Sequence, residues 1–301
     1  MLKLKNPIYL AGFLYLSSCI YEGGECIYRY KYKEDHINVK DYINKDKTII
    51  VTGGTQGLGK AFCESLAMKG FNLVVISRNA ENLSNLKQNL EEQYHIKVNY
   101  IPFDLSTDSL EQYDKLFEEL DKIKNFSGLI NNAAILKQGN FGEINNQDLK
   151  TQITGNILAP TLLTNYFIKY SFKTENKDKN KFIINVGSQT TARGPVKSSQ
   201  PYFATKEYMN YITDCLQQDQ ESVPNLYVQN LSPGYIDSPM LIDFSEKYKV
   251  PTYFQQLYIA QPKDLAEESL RQLETPILNG TFNQAFINSV LKYIPFTGKL
   301  L

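Results

Sequence analysis

Histidine and cysteine are too scarce in this chain to build a metal centre by the familiar patterns. There are two histidines, and the four cysteines, Cys19, Cys26, Cys63 and Cys215, match no zinc-ligand spacing. No metal is expected, and so sparse a set of thiols fits a reducing compartment. Net charge is missing as well. The 32 basic and 32 acidic side chains cancel, which removes the electrostatic footprint of a nucleic-acid binder. Long hydrophobic runs are also missing: the uncharged stretch 8–20, between Lys5 and Glu22, falls short of the ~20 residues that a spanning helix needs. Tryptophan is absent, from which no function follows. No internal repeat is visible, and the charged run 173–181 reads as a solvated loop. The length suits one large domain or two small ones.

What the chain does have is regular alternation. Apolar, β-branched runs at 48–51, 72–77, 97–101, 129–131, 182–186 and 226–231 read as buried strands. Between them, apolar residues at helical spacing predict helices over 59–69, 80–94, 108–124, 147–172 and 201–221. Pro160 sits inside the fourth of these and predicts a kink. Strand alternating with helix implies an α/β, doubly wound parallel sheet with helices on both faces.

In such a sheet ligands sit at the carboxyl ends of the strands, so the residues just past each strand carry the functional reading. After the first strand comes Thr52-Gly53-Gly54-Thr55-Gln56-Gly57-Leu58-Gly59. Gly53, Gly57 and Gly59 let the backbone turn sharply and approach a ligand closely. The helix that follows offers unpaired N–H groups and a positive dipole end to a pyrophosphate. Ser77 and Arg78 follow the second strand, where an adenosine ribose would lie. An acidic residue there would favour NAD. None is present, and an arginine suits the 2′-phosphate of NADP through charge and bidentate hydrogen bonds. Asp104, past the third strand, is placed to accept from an adenine amino group, and Asn131-Asn132-Ala133-Ala134 past the fourth lets backbone run close to the cofactor.

Ser188 follows the fifth strand. Tyr202 and Lys206 lie four apart on the next helix and share a face. An ammonium beside a phenol favours the phenolate and lowers its pKa, so Tyr202 is the candidate acid/base. Ser188 is placed to hold the same carbonyl oxygen. Asn156, mid-helix, is the candidate to fix a water that passes protons to Lys206.

Together these residues resemble the short-chain dehydrogenase/reductase family. The Gly-rich turn, Asn131-Asn132-Ala133-Ala134, Asn156, Ser188, Tyr202-Phe203-Ala204-Thr205-Lys206 and Pro233-Gly234 stand in the family's order from about 47 to 240. The resemblance implies a Rossmann fold in which Tyr202 is the acid/base and Lys206 its activator and ribose ligand. It implies further that Ser188 orients the carbonyl, Asn156 is the relay, and Pro233 and Gly234 lead into the loop over the nicotinamide. Ala134 stands where the family usually has glycine, and Ser238 where it often has threonine.

One branch is similar in more detail. The stretch 70–79 and the stretch 228–236, which ends in Ile236, resemble the membrane-associated 17β-hydroxysteroid dehydrogenases and very-long-chain 3-oxoacyl-CoA reductases. That resemblance implies NADPH-dependent reduction of a ketone on a bulky apolar or acyl-CoA substrate. It also implies the endoplasmic reticulum membrane, with a mitochondrial membrane as the alternative. Met240, Leu241, Ile242, Phe244, Tyr248, Tyr253, Phe254, Leu257 and Tyr258 crowd a substrate lobe at about 237–262, and the tail from Phe286 through Phe296 is again apolar.

The expected organisation is therefore an anchor-like N-terminal segment and polar connector over 1–47, then one catalytic domain over 48–301. The 8–20 segment is an interfacial anchor, a signal-like segment, or a helix packed on its own domain or a partner. A second function class fits the apolar ends of the chain: an accessory subunit of a membrane complex that keeps nucleotide binding. Self-association is also open.

Overall fold

The computed structural model describes residues 7–32, 47–172, 180–189, 198–219, 225–242, 259–273 and 275–291. Seven strands form one sheet in the order β3-β2-β1-β4-β5-β6-β7, every neighbouring pair parallel. They are β1 Thr48–Thr52, β2 Asn72–Ser77, β3 Val98–Pro102, β4 Phe126–Asn131, β5 Lys181–Val186, β6 Leu226–Leu231 and β7 Ile277–Leu278. The helices are α1 Pro7–Ile27, α2 Gly57–Met68, α3 Ala80–Tyr94, α4 Leu110–Lys122, α5 Asn146–Ile153, α6 Ala159–Phe172, α7 Gln200–Gln218, α8 Pro262–Arg271 and α9 Phe282–Leu291.

The strands read as near-continuous apolar runs because both sheet faces are covered. Successive side chains alternate between two cores. Ile49, Val51, Val75 and Ile130 pack with Phe62 and Leu66 of α2 and Leu265 of α8 on one face. Ile50, Val74, Ile76 and Leu129 pack with Leu116, Leu163 and Phe167 on the other. The chain runs outward from β1 to β3 and then returns to β4 beside β1. That reversal opens a crevice at the carboxyl ends of β1 and β4.

The structure departs from the expectations in four places. The single helix expected over 147–172 is two helices joined by a π-helical turn, Thr154–Leu158, in which Ala159 N–H bonds back five residues to Thr154 O. Pro160 explains the break: it has no N–H to give, so the ladder widens just before it. β7 is not among the expected strands, because two residues show no period, and α8 is not among the expected helices although Leu265, Ala266, Ser269 and Leu270 give it a buried face at helical spacing. Tyr28–Tyr32, expected as polar connector, continues α1 as a π-helical turn, and Tyr30 packs against the core. Finally, α1 outruns the apolar stretch, takes in Glu22 and Glu25, and brings Gly23 toward Phe286 of α9. No described helix is long and apolar enough to cross a membrane. The readings on 33–46, on 173–179, on Phe244, Tyr248, Tyr253, Phe254, Leu257 and Tyr258, and on the tail beyond 291 lie outside the described residues.

Candidate active site

One cleft runs along the crevice at the strand ends, and most of the residues singled out from the sequence line it: Gly53, Thr55, Gln56, Gly57, Leu58, Gly59, Ser77, Arg78, Asp104, Ser188, Tyr202, Lys206, Pro233, Gly234 and Ile236. Its floor is the turn after β1. Gly59 has to be glycine, since a Cβ there would lie 2.2 Å from Gly53 O. Gly57 has φ +52°, a left-handed backbone that other residues rarely adopt. Gln56 is the N-cap of α2, but its side chain does not cap, so the first N–H groups of the helix face the cleft without a side-chain acceptor. These features fit a pyrophosphate.

At one end Thr55 and Ser77 hydroxyls approach to 3.4 Å, and Arg78 stands exposed beside them. Asp104 lines the cleft while its Oδ1 accepts from Ser106 N at 3.0 Å and Ser106 Oγ at 2.7 Å, which fixes the carboxylate. Two residues from the sequence reading do not reach the cleft wall. Asn131 is buried, and its Nδ2 donates to Thr164 Oγ1 at 2.9 Å and Asn185 Oδ1 at 2.8 Å, tying β4 to α6 and β5. Its expected contact with cofactor is thus replaced by a structural one. Asn132 lines the cleft instead and donates from Nδ2 to Thr52 O at 2.9 Å, bracing the turn.

Asn156 is the second. It sits in the π-helical turn, with Oδ1 accepting from Ile135 N at 2.8 Å and Nδ2 donating to Ile135 O at 2.9 Å and Thr205 Oγ1 at 3.0 Å. Its side chain therefore clamps the loop after β4 to α7 and is not directed at Lys206. Pro160 has no N–H to give to the Asn156 carbonyl four residues back, so that carbonyl, rather than the amide, is released from α-helical bonding.

Tyr202 and Lys206 project from α7 into the other end. Lys206 is buried and donates from Nζ to Val186 O at 2.6 Å; the same nitrogen lies 5.8 Å from the Tyr202 ring centroid. Burial lowers the Lys206 pKa to about 8. Burial likewise pushes the Tyr202 phenol above its usual value, contrary to the downward shift expected from its lysine neighbour. Desolvation of the phenolate dominates, because Lys206 turns its charge toward a backbone carbonyl. A phenol held protonated is suited to give a proton to a carbonyl oxygen. The Tyr202 hydroxyl approaches Met240 Sδ at 3.9 Å. Ile135, Leu136, Phe203, Met240 and Leu241 give this end of the cleft an apolar wall. No cluster of metal-ligating side chains occurs among the described residues.

A sheet with this strand order, and its cleft at the reversal point, is a dinucleotide-binding fold of the Rossmann type. A model of the short chain dehydrogenase family matches residues 47–249, and the chain belongs to that family. Among curated proteins, it is 29% identical over 188 residues to the very-long-chain 3-oxoacyl-CoA reductase of Mus musculus, covering 61% of this chain and 57% of that protein. It is also 29% identical over 202 residues to the L-xylulose reductase of Caenorhabditis elegans, covering 66% and 76%. The match thus spans little more than half the length of the reductase from mouse. In fold it superposes on a 7beta-hydroxysteroid dehydrogenase with TM-score 0.70 at 18% identity, over 81% of this chain and 90% of that one. It also superposes on a short-chain dehydrogenase from Sphingobium yanoikuyae in complex with NADPH, with TM-score 0.67 at 21% identity, over 77% and 87%.

Proposed function

We propose that the protein is an NADPH-dependent reductase of ketones on bulky apolar substrates, a 3-oxoacyl-CoA or a ketosteroid, with Tyr202 as proton donor. The observation that carries this reading is the convergence of Ser188, Tyr202 and Lys206 on the same cleft as the Gly-rich turn and Arg78. The similarity to a very-long-chain 3-oxoacyl-CoA reductase supports the substrate class, and the apolar wall around Met240 suits an acyl or steroid body. The N–H groups at the start of α2 would hold the pyrophosphate, and Arg78 with Ser77 the 2′-phosphate. The nicotinamide, when bound, supplies the hydride. Ser188 Oγ holds the substrate carbonyl, Tyr202 gives its hydroxyl proton to the carbonyl oxygen, and Lys206 carries the positive charge that stabilises the phenolate left behind. The product is the alcohol. The test is NADPH consumption by the purified full chain with 3-oxoacyl thioesters and ketosteroids.

Cofactor choice has its own test. Hydrogen bonds to charged groups contribute ~1.5–3 kcal/mol, so Arg78→Ala should weaken NADPH binding by roughly tenfold or more. NADH binding should barely change. Equal losses for both cofactors would remove Arg78 from the 2′-phosphate.

The reading extends to a membrane-associated protein, at the endoplasmic reticulum or, failing that, a mitochondrial membrane. α1 is the candidate contact. Leu16, Ile20 and Ile27 are exposed on one side of it, and Tyr21 and Tyr28 on the neighbouring strip, while Glu22, Glu25 and Arg29 lie elsewhere around the helix. With no described helix able to span, the helix would lie in the interface, apolar side inward. Removing the whole segment would also remove Tyr30 from the core, so the sharper test is Leu16→Glu with Ile20→Glu. The double variant should shift from the membrane pellet to the soluble fraction with cofactor binding intact. An unchanged pellet fraction would clear α1 of this role.

A further inference from the structure

Gln284, near the start of α9, is a polar side chain only 1% exposed. Both ends of its amide are turned on the loop after β6: Oε1 accepts from Gly234 N at 3.3 Å, and Nε2 donates to Tyr235 O at 2.7 Å. Gly234 and Tyr235 line the cleft. They lie past the end of β6; Tyr235 O also accepts from Ala260 N–H at 2.9 Å beside the single bridge between Ile236 and Ala260, and the buried amide adds a second donor to that oxygen and an acceptor for Gly234 N–H.

The surroundings of Gln284 are shaped to the amide. Gly280 has φ +77°, and a Cβ there would lie 2.1 Å from Gln284 Oε1. Tyr30 fixes that glycine by donating its hydroxyl to Gly280 O at 2.9 Å, and its ring meets Phe282 edge-on at 6.0 Å between centroids. On the other side of the loop, Gln189 N–H donates to Pro233 O at 3.0 Å while the Gln189 side chain donates to Asn279 O. Loops after β5, β6 and β7 are thereby joined around one stretch of cleft wall, and the N-terminal segment buttresses the join.

We infer that Gln284 is a positioning residue for the reaction: it holds the Gly234–Tyr235 peptide in the cleft wall and so aligns hydride donor and substrate carbonyl. The inference rests on the reductase reading above. Gln284 touches neither partner; it acts through the loop.

The test uses the full chain with NADPH and a ketone that it reduces. In Gln284→Leu, NADPH should titrate the same number of sites with an affinity within about threefold, because the Gly-rich turn and Arg78 are untouched. Turnover per titrated site should fall ~10-fold or more, the scale on which misalignment at a reacting centre is felt. Gln284→Glu provides a second readout, and decides the matter should the leucine variant fail to fold. An ionised carboxylate cannot donate to Tyr235 O, whereas a protonated one offers a donor and an acceptor as the amide does. Turnover of Gln284→Glu relative to the unaltered protein should therefore climb as pH is lowered, a limb absent from the parent profile. Wild-type turnover per site in both variants, or a loss of turnover matched by an equal loss of NADPH sites, overturns the role. An unaltered protein that reduces no ketone overturns the reductase reading, and the role with it.

Discussion

Tyr202→Phe is expected to lower ketone reduction by ~10²–10⁴-fold, the usual scale of general acid catalysis, while NADPH binding persists. The substitution keeps the ring and deletes the only proton that the account sends to the substrate oxygen. The phenol is well prepared for that step. Burial holds it protonated, and its hydroxyl has a thioether, Met240 Sδ at 3.9 Å, in place of a strong acceptor. A ketone oxygen entering the cleft is a better acceptor than a thioether, so the hydroxyl can turn to it at small cost. The Asn156–Thr205 bond at 3.0 Å and the Thr205–Tyr202 O bond at 2.7 Å do not depend on the hydroxyl, so the helix should be undisturbed. Near-normal turnover in Tyr202→Phe would show that another group moves the proton.

Lys206→Ala should damage both turnover and cofactor binding, by at least tenfold each, since the ammonium serves the phenolate and lies within reach of the ribose in the family reading. Its charge also sets an expected pH dependence. With the ammonium pKa lowered to about 8, kcat/KM for NADPH should fall as pH rises through about 8, where the free enzyme loses this charge. Tyr202 contributes no limb there, because its own shift is upward. The linkage to stability has the opposite sense. Between about 8 and the ordinary lysine value of 10.5 the unfolded chain binds the proton more tightly than the folded one, so this group makes the fold more stable as pH rises across that window. Below about 8 both states carry the proton and the cost of burying it is constant. A kcat/KM profile flat from neutral pH to well above 8 would show that the charge is not used.

Much of the sheet was legible because parallel strands buried on both faces are short apolar runs, as at Ile49, Ile50 and Val51, and because glycine marks the turn that follows. β7 was not legible: it is two residues long and is defined by its pairing with Asn230 and Leu231, not by a pattern of its own. The kink at Pro160 was visible, but its form as a π-helical turn depends on which carbonyls find partners. The polar connector failed at Tyr30 for a similar reason. A tyrosine among charged residues reads as surface until a distant glycine, Gly280, gives its hydroxyl a partner.

Within the candidate site, it was readable that residues such as Ser188, Tyr202 and Lys206 meet along one cleft, and the directions of individual side chains were not. Ser188 was singled out by its position past β5, and Tyr202 and Lys206 by their four-residue spacing on one helix face. Side chains commit to local partners that sequence does not name: Asn131 to Thr164 and Asn185, Asn156 to Ile135 and Thr205. The Tyr202 pKa was misjudged in sign because spacing shows that Lys206 is near but not that both groups are buried. Gln284 carried no signal, since a glutamine in an apolar helix acquires meaning only from the loop it meets.

The central claim is that this cleft reduces a ketone with NADPH. The direct measurement is NADPH consumption by the purified full chain across 3-oxoacyl thioesters and ketosteroids, with Tyr202→Phe alongside. The account predicts consumption with members of at least one class, formation of the matching alcohol, and loss of both in the variant. Full NADPH binding with no consumption across the panel would contradict it, and would favour a nucleotide-binding subunit of a larger assembly.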